Sequence, residues 1–387
     1  MERGMVKNRP SLMPLRSDQR GLTMVELMIA VVLGSILMIG VIQLFSGMRA
    51  SYQLNESLSR VQESGRFATQ LISEDLRTAG YSGPLSFEPR VCFFDHPSGD
   101  DLAGECPSDD PVNPETGGMD RFIGEPLRGF SYGTTPELHE LTPEPLDSLG
   151  DWLGNPEAEL DADMVDALEG RILPGSDILV TRSLGGGGVF DAEPPPGGGS
   201  NLDIPDHDFG EDDLFVIQDA SGYVFVGPAN QVGHTNITFP GQFDDAGCCT
   251  PPVTATGARD SAYFVGEGVD GEPALMQVES SSISGGAEVR ELVSGIELMR
   301  LQYGVDTNDD GNVNRYERAD WVDANNEWDR VLAVRAAMVA RGNHRLTGVP
   351  QQEDIRVLGD DIVIDDGVRE FQRQVYSTTV RLRNIYL

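Results

Sequence analysis

The longest apolar stretch of the chain lies close to its N-terminus. Residues 22–45 read LTMVELMIAVVLGSILMIGVIQLF and hold one charged side chain, Glu26. At 1.5 Å of rise per residue, a helix of this length reaches across the hydrocarbon core of a bilayer. The flank ahead of it carries five basic and two acidic residues, and a short basic flank stays on the cytoplasmic side of a membrane. The pattern predicts a single membrane-spanning helix with a cytoplasmic N-terminus and an exported remainder.

The helical pattern continues beyond the apolar stretch, but on one face only. Apolar residues recur there at steps of three and four, which is the period of an amphipathic helix. They are Leu54, Leu58, Val61, Ala68, Leu71, Ile72, Leu76 and Ala79. Gly80 is a residue type that ends helices readily, and Pro84 prevents continuation. We therefore expect one helix from residue 22 to about residue 79.

The rest of the sequence predicts a β-rich domain over residues 81–387. Short runs rich in β-branched and aromatic residues, separated by Gly-rich turns, are typical of antiparallel strands. Such runs are Ile178–Arg182, Leu214–Gln218, Tyr223–Val226, Ile237–Phe239, Ala262–Gly266, Ala274–Glu279, Ser294–Asp306, Arg330–Arg341 and Gln374–Asn384. Residues 85–175 are rich in Pro, Gly, Asp and Glu, so we expect long irregular surface loops there. The predicted fold class is α+β: a long N-terminal helix, membrane-spanning in its first half, packed on an antiparallel β-sheet domain.

The charge of the chain narrows the classes of function. The formal net charge is −35, and the residues after Gly21 include 23 basic and 61 acidic side chains. A surface with this excess of negative charge repels polyanions, so we do not expect nucleic acid to bind through a basic face. No HExxH, GxSxG or GxxxxGK[ST] string occurs and the five histidines are scattered. An enzyme is therefore not expected.

The residues around the start of the apolar stretch resemble a known processing signal. In R-G-L-T-M-V-E-L-M-I-A, Gly21 directly precedes the apolar run and Glu26 is its fifth residue. This string resembles the prepilin cleavage and methylation signal of type IV pilins and type II secretion pseudopilins. The resemblance implies that a prepilin peptidase removes residues 1–21 as a cytoplasmic leader and methylates the new amino group of Leu22. It also implies that Glu26 pairs with the N-terminal ammonium of a neighbouring subunit, since either charge alone is costly in an apolar surrounding.

Two further segments are similar to PilW-type minor pilins. V-Q-E-S-G-R-F-A-T-Q-L-I-S-E-D-L-R-T-A-G-Y, residues 61–81, resembles the end of their long helix, and residues from about 285 to the end resemble their C-terminal third. We interpret Gly65, Phe67 and Tyr81 as residues that pack the helix on its sheet. The resemblance implies a structural subunit for initiation or tip assembly of type IV pili, which serve adhesion, twitching motility and DNA uptake. A J-type pseudopilin of a type II secretion system is the alternative, and a pilin-anchored enzyme is a third interpretation.

The same resemblance implies partners and a location. The partners are prepilin peptidase, other minor pilins, the major pilin, the inner-membrane assembly platform and a PilY-type tip adhesin. The implied location is the inner membrane before assembly, with the domain of residues 81–387 in the periplasm. After assembly the subunit is part of an extracellular pilus.

The four cysteines of an exported chain are candidates for disulfides. They are Cys92, Cys106, Cys248 and Cys249, in loop-like sequence without CxxC spacing. Adjacent Cα atoms lie near 3.8 Å, whereas a disulfide usually spans roughly 4.4 to 6.8 Å. We therefore expect Cys248 and Cys249 to pair with Cys92 and Cys106 rather than with each other.

An acidic string near the C-terminus has the spacing of a calcium-binding loop. D-T-N-D-D-G-N-V-N-R-Y-E, residues 306–317, matches positions one, three, five, six and twelve of the EF-hand loop. We predict that a Ca²⁺ ion is held by side-chain oxygens of Asp306, Asn308, Asp310 and Glu317, by the Asn312 carbonyl, and by Asn314 directly or through water. The flanks are not typical of paired helices, so the ion would hold a loop shape. The alternative is a plain Asp/Asn/Gly hairpin turn.

Overall fold

A computed structural model describes most of the chain from residue 23 onward. The described residues are 23–81, 90–93, 125–133, 137–138, 143–160, 162–193, 201–205, 214–218, 223–228, 231–233, 236–238, 252–280, 287–346 and 352–384. The chain divides into two compact units, Met1–Tyr52 and Gln53–Leu387, which are described separately below.

One long helix, α1 (Met24–Thr78), forms the N-terminal part of the described chain. It ends where the sequence predicts, because Gly80 adopts a left-handed backbone conformation with φ of 74°, which is favourable only without a Cβ. The side-chain amide of Asn384 donates to the carbonyl oxygens of Arg77 and Ala79, each at 3.2 Å. These bonds satisfy carbonyl groups that the last helical turn leaves without partners.

The part of α1 after Tyr52 buries one stripe of side chains in the second unit. The buried residues are Ser57, Val61, Gly65, Ala68, Ile72, Ser73 and Leu76. Apart from the adjacent pair Ile72 and Ser73, they are spaced by three or four, as expected for an amphipathic helix. Several are small because the sheet approaches closely: a Cβ at Gly65 would lie 2.0 Å from the Tyr376 ring. Packing by Gly65 is thus confirmed. Phe67 is 50% exposed, so its interpretation as a residue that packs the helix on its sheet was wrong.

The remaining elements are nineteen described strands and three short helices. The strands are β1 (Arg90–Phe93), β2 (Leu127–Tyr132), β3 (Glu137–Leu138), β4 (Trp152–Leu153), β5 (Ile178–Ala192), β6 (Asn201–Asp203), β7 (Leu214–Gln218), β8 (Tyr223–Pro228), β9 (Gln231–Val232), β10 (Asn236–Thr238), β11 (Val253–Glu267), β12 (Pro273–Ser280), β13 (Glu288–Ser294), β14 (Ile296–Val305), β15 (Arg315–Glu317), β16 (Val331–Arg345), β17 (Ile355–Val357), β18 (Asp360–Ile364) and β19 (Phe371–Arg381). The helices are α2 (Pro156–Glu159), α3 (Ala162–Leu168) and α4 (Ala319–Asn325), and a 3₁₀ turn covers Trp328–Arg330. Every predicted strand overlaps an observed one.

Four sheets, mostly antiparallel, build the second unit within the described residues. The largest runs β1-β8-β7-β11-β5-β2-β4, with β12 paired to β11 and β13 paired to β12. A second sheet has the order β15-β14-β16-β19, and two three-stranded sheets have the orders β6-β10-β9 and β17-β18-β3. The buried stripe of α1 shares one hydrophobic core with residues of β11, β14, β16 and β19. The fold is therefore α+β, as predicted.

The described part of the region 85–175 is more regular than the sequence predicts. It contains the buried strand β2, the short strands β3 and β4, and the helices α2 and α3. Met164 and Leu168 of α3 pack into a core with Phe130 of β2. The expectation of irregular loops there needs correction, because burial against neighbouring elements stabilises segments whose own composition favours turns. Residues 82–89, 94–124, 134–136, 139–142 and 161 lie outside the described part.

Candidate assembly segment and acidic loop

The helix α1 begins with a polar cap. The backbone N–H of Glu26 donates to the Thr23 hydroxyl oxygen at 3.2 Å, the arrangement of a Thr N-cap with Glu three residues later. A carboxylate in the first turn also interacts favourably with the helix dipole. Among the described residues the exposed Glu26 carboxylate has no ion-pair partner. Gly21 and Leu22 lie outside the described part.

The first half of α1 exposes its apolar side chains on all sides. From Met24 to Met48 its large apolar residues are more than half exposed. The hydroxyls of Ser35 and Ser46 donate to the carbonyls of Val31 and Gln43, so these polar groups need no partner outside the helix. By length and composition the helix is able to cross a membrane.

The acidic string forms the loop between β14 and β15, with Asp306 as its organising residue. Val305 pairs with Arg315, so the loop covers residues 306–314. The buried Asp306 carboxylate accepts backbone N–H bonds from Asn308, Asp310 and Gly311 at 3.2, 3.3 and 2.6 Å. Desolvation acts to raise the pKa of this carboxyl, but the backbone donors outweigh it and hold the pKa below its usual range. The loop therefore carries a fixed negative charge at its first position.

The other predicted loop ligands cluster through hydrogen bonds among themselves. The Asn308 amide donates to Asp310 Oδ2 at 3.1 Å, and Asp310 Oδ1 accepts the Asn312 N–H at 2.8 Å. Asn314 Oδ1 accepts the N–H of Thr307 at 2.7 Å. These bonds are the Asx-turn type that Asp and Asn form in loops. The structure thus brings five of the six predicted ligands into one loop.

Glu317, the sixth predicted ligand, lies outside this loop on β15. It is the strand partner of Tyr303, three residues before Asp306, and its carboxylate is ion-paired with Arg315. The Arg315 guanidinium in turn lies 4.2 Å from the centre of the Trp321 ring. Within the described residues no group of three or more His, Cys, Asp or Glu side chains is placed to hold a metal ion.

The cysteines give no test of the predicted pairing. Cys106, Cys248 and Cys249 lie outside the described residues, and for Cys92 the structure describes only a backbone position in β1. The disulfides between these two groups stay a prediction.

The sequence did not single out a buried charge cluster that joins two sheets. Asp177 accepts N–H bonds from Tyr132 of β2 and Leu301 of β14 at 2.9 and 2.8 Å, and Arg300 Nη1 lies 3.0 Å away. Burial raises the pKa of Asp177 even though Arg300 opposes this. The sequence signal is slight, an Asp directly before the apolar run of β5. Its structural consequence is that Asp177 links the backbones of β2 and β14, which belong to different sheets.

Two family models match the chain, one near its N-terminus and one near its C-terminus. The prokaryotic N-terminal methylation motif matches residues 16–42, and the family described as type IV pilus-assembly protein W matches residues 262–384. The first match contains Glu26 and most of the exposed apolar half of α1, up to residue 42, and the second contains the acidic loop and Asn384, which caps α1. No match was found among curated proteins or among solved structures.

These matches, the long helix and the sheets packed on it all indicate a pilin-like subunit. The methylation motif and the apolar helix are consistent with an inner-membrane prepilin that later enters a pilus. The chain is a minor-pilin-like protein with a PilW-type pilus-assembly domain behind an N-terminal methylation motif.

Proposed function

We propose that this chain is a structural minor pilin that takes part in initiation or tip assembly of type IV pili. The observation that carries the proposal is the presence of the methylation motif and the PilW match in one chain. One continuous helix, α1, includes residues 24–42 of the first and packs on sheets of the second from residue 53 onward. A structural role follows, in which the helix packs among other pilin helices and the β-rich domain is displayed.

The proposed cleavage creates a positively charged N-terminus that pairs with the negative charge of Glu26 during assembly. Cleavage after Gly21 leaves Leu22 as the N-terminus, and its methylated ammonium remains charged. In a filament the Glu26 carboxylate pairs with the N-terminal ammonium of a neighbouring subunit, so that neither charge is left unpaired in an apolar surrounding. The cap from Thr23 occupies the backbone N–H of Glu26 and leaves its carboxylate for this contact.

Each step of the proposed assembly implies a binding partner for this protein. Prepilin peptidase cuts the chain in the inner membrane, and the assembly platform receives it with other minor pilins and the major pilin. A PilY-type tip adhesin is the proposed partner beyond them. The protein is then single-pass in the inner membrane before assembly and extracellular afterwards, in filaments used for adhesion, twitching motility or DNA uptake.

The experiment that tests the assembly role compares two carboxylates on the same helix. Glu26→Ala should insert normally, because it removes a charge from lipid, but should be depleted from sheared filaments. Glu63→Ala is the matched control, because Glu63 is exposed on the same helix beyond the apolar stretch. Quantitative immunoblots of membranes and sheared filaments measure both. Equal recovery of the two variants in filaments would remove the pairing role.

The second candidate, a J-type pseudopilin of a type II secretion system, shares the N-terminal chemistry. The PilW match over residues 262–384 favours the pilus. Deleting the gene separates the two functions: loss of surface filaments with normal protein secretion supports the pilus, and the reverse result supports the pseudopilin.

We also propose that the acidic loop binds Ca²⁺. Asp306, Asn308 and Asp310 offer side-chain oxygens at alternate positions, and Gly311, with φ of 75°, allows the sharp turn. The low pKa of Asp306 keeps its oxygens charged for a hard cation. The Asn312 carbonyl and Asn314 complete the loop ligands. Glu317 joins them only if its carboxylate leaves Arg315, so the five loop residues are the core of the proposed site. A bound Ca²⁺ would supply charge neutralisation and a fixed loop shape.

A further inference from the structure

A cleft of about 580 Å³ opens where α1 ends beside β19. Its apolar floor consists of buried side chains, and its rim carries exposed guanidinium groups. The floor residues are Leu332, Val380 and Leu382, and the rim residues are Arg77, Arg381 and Arg383. We call this feature the arginine cleft.

The charge of the arginine cleft is unusual for this chain. Among the twenty arginines from residue 53 onward whose side chains are described, fourteen form an ion pair with an Asp or Glu. The other six are Arg66, Arg77, Arg171, Arg335, Arg381 and Arg383. Three of these six meet at the cleft, although acidic residues outnumber basic ones 63 to 28 in the chain. The cleft is thus a local positive site on an acidic protein.

The position of β19 adds a second feature to the cleft. In the described sheet β15-β14-β16-β19, this strand is outermost and pairs with β16 alone. Thr379 and Arg381 therefore lie on a strand whose far edge has no described strand beside it. Open edges of this type accept extended peptide segments by main-chain hydrogen bonds.

We propose that the arginine cleft binds an extended, carboxylate-bearing segment of a neighbouring subunit in the filament, an inference that rests on the function proposed above. Guanidinium groups pair with carboxylates through parallel hydrogen bonds, which gives direction as well as attraction. The apolar floor accepts the aliphatic parts of such a segment.

The net charge of the whole protein favours a short peptide over nucleic acid as the ligand of the arginine cleft. A net charge of −35 repels every phosphate of a long polyanion, whereas a short segment brings only a few negative charges to the protein. Three arginines at one cleft match two or three carboxylates, whereas a nucleic acid needs a longer basic track along its phosphates.

The direct test uses the full-length protein in detergent and a fluorescently labelled hexaglutamate peptide. Fluorescence anisotropy should show binding that weakens as NaCl is raised, and no binding of a labelled hexaglutamine peptide. The double variant Arg381→Gln with Arg383→Gln should raise the Kd by about fivefold or more. The matched double variant Arg66→Gln with Arg171→Gln removes the same charge from two exposed arginines away from the cleft and should bind as the wild type does.

Three results of this experiment would overturn the proposal. They are equal binding of the two peptides, equal weakening in the two double variants, and stronger competition by a six-nucleotide single strand than by unlabelled hexaglutamate. The last result would assign the cleft to nucleic acid instead.

A test in cells separates the cleft from the pilin function itself. The charge-reversed double variant Arg381→Glu with Arg383→Glu should still be cut after Gly21, because the processing site is distant in sequence, but it should be depleted in sheared filaments. Recovery equal to the wild type would exclude a role of the cleft in assembly. If the wild-type chain is neither cut nor found in filaments, the proposed function is wrong. The peptide titration then tests by itself whether the cleft binds a carboxylate-bearing segment.

Discussion

The two halves of α1 have the same backbone but opposite surfaces. From Met24 to Met48 the helix exposes large apolar side chains all round and carries Glu26 as its one charge. From residue 53 it buries a narrow stripe that includes Ser57, Gly65 and Ser73, and its other faces are mostly polar. The second half obtains its packing partners from its own chain. The first half has an apolar surface that only lipid or other helices can cover.

A carboxylate on the apolar half of α1 and a carboxylate in the β-rich domain also differ in their surroundings. Glu26 has no ion-pair partner among the described residues, whereas Glu297 is buried between Arg341 at 3.2 Å and Arg373 at 2.6 Å. A buried carboxylate with two guanidinium groups is part of the structure of the domain. The exposed carboxylate of Glu26 makes no such ion pair with the described residues, and its pairing with a neighbouring subunit is part of the function proposed above.

The largest expected effect is the loss of Glu297. Glu297→Ala leaves two buried guanidinium groups without their shared partner, so we expect the free energy of unfolding to fall by about 3 to 5 kcal/mol. Urea unfolding of the full-length protein in detergent, followed by tryptophan fluorescence, measures it. Glu26→Ala is the control and should unfold like the wild type. A midpoint for Glu297→Ala close to that of the wild type would mean that this cluster does not support the domain.

The second prediction compares glycines of the two halves of α1. A Cβ at Gly65 would meet the Tyr376 ring at 2.0 to 2.6 Å, whereas one at Gly40 would meet nothing within 4 Å. Gly65→Ala should therefore destabilise the protein by about 1 to 3 kcal/mol through overpacking. Gly40→Ala should leave the domain unchanged, and Tyr376→Ala should reduce the penalty at Gly65 in a double-mutant cycle. Additive effects of the Gly65 and Tyr376 changes would contradict this contact.

The third prediction concerns the pH dependence of the contact between α1 and β5. The Asp75 carboxylate accepts a hydrogen bond from the Thr181 hydroxyl, and burial raises the pKa of Asp75 above its ordinary value. The stability that this group contributes is fully present below the unfolded pKa of about 4 and is lost as pH rises through the raised folded-state pKa. Asp75→Asn keeps an acceptor and cannot ionise. Relative to the wild type, it should be more stable at pH 7 than at pH 4.

Chemical unfolding at both pH values checks this prediction. Glu74→Gln is the matched control, because Glu74 is exposed on the neighbouring position of α1. A difference between Asp75→Asn and wild type that does not change with pH would show that Asp75 is not buried as described.

The smallest expected effect is the response of the acidic loop to calcium. With a dissociation constant on the order of 10⁻³ M, 10 mM Ca²⁺ should stabilise the protein by about 1.4 kcal/mol. Calorimetric titration and thermal unfolding measure binding and stabilisation. Asp310→Ala should abolish both, whereas Asp309→Ala should retain them, because Asp309 pairs with Arg330 and is not a predicted ligand. No heat of binding at millimolar Ca²⁺ would return the loop to a plain hairpin turn.

The sequence predicted the features that depend on local chemistry. The start and end of α1 follow from an apolar stretch, a three-to-four residue period and Gly80. The turn at Gly311 follows from the spacing of Asp306, Asn308 and Asp310. These features were predictable because neighbours in the chain determine them.

The features that the sequence did not predict depend on contacts between distant residues. The strand β2 is buried because Gly129 leaves room for the hydroxyl of Tyr303, where a Cβ would lie 1.8 Å away. The position of Glu317 is set by strand pairing, since Val305 opposite Arg315 closes the loop before the twelfth residue. A twelve-residue pattern includes no information on where the pairing of β14 with β15 begins.

The mass of the N-terminal peptide of the protein extracted from membranes tests the central claim most directly. The exposed apolar half of α1 and the free Glu26 carboxylate have a role in assembly only if the leader is removed and the helix is retained. The account predicts a peptide that begins with N-methylated Leu22. A chain that begins with Met1, or one cut after residue 45, would contradict it.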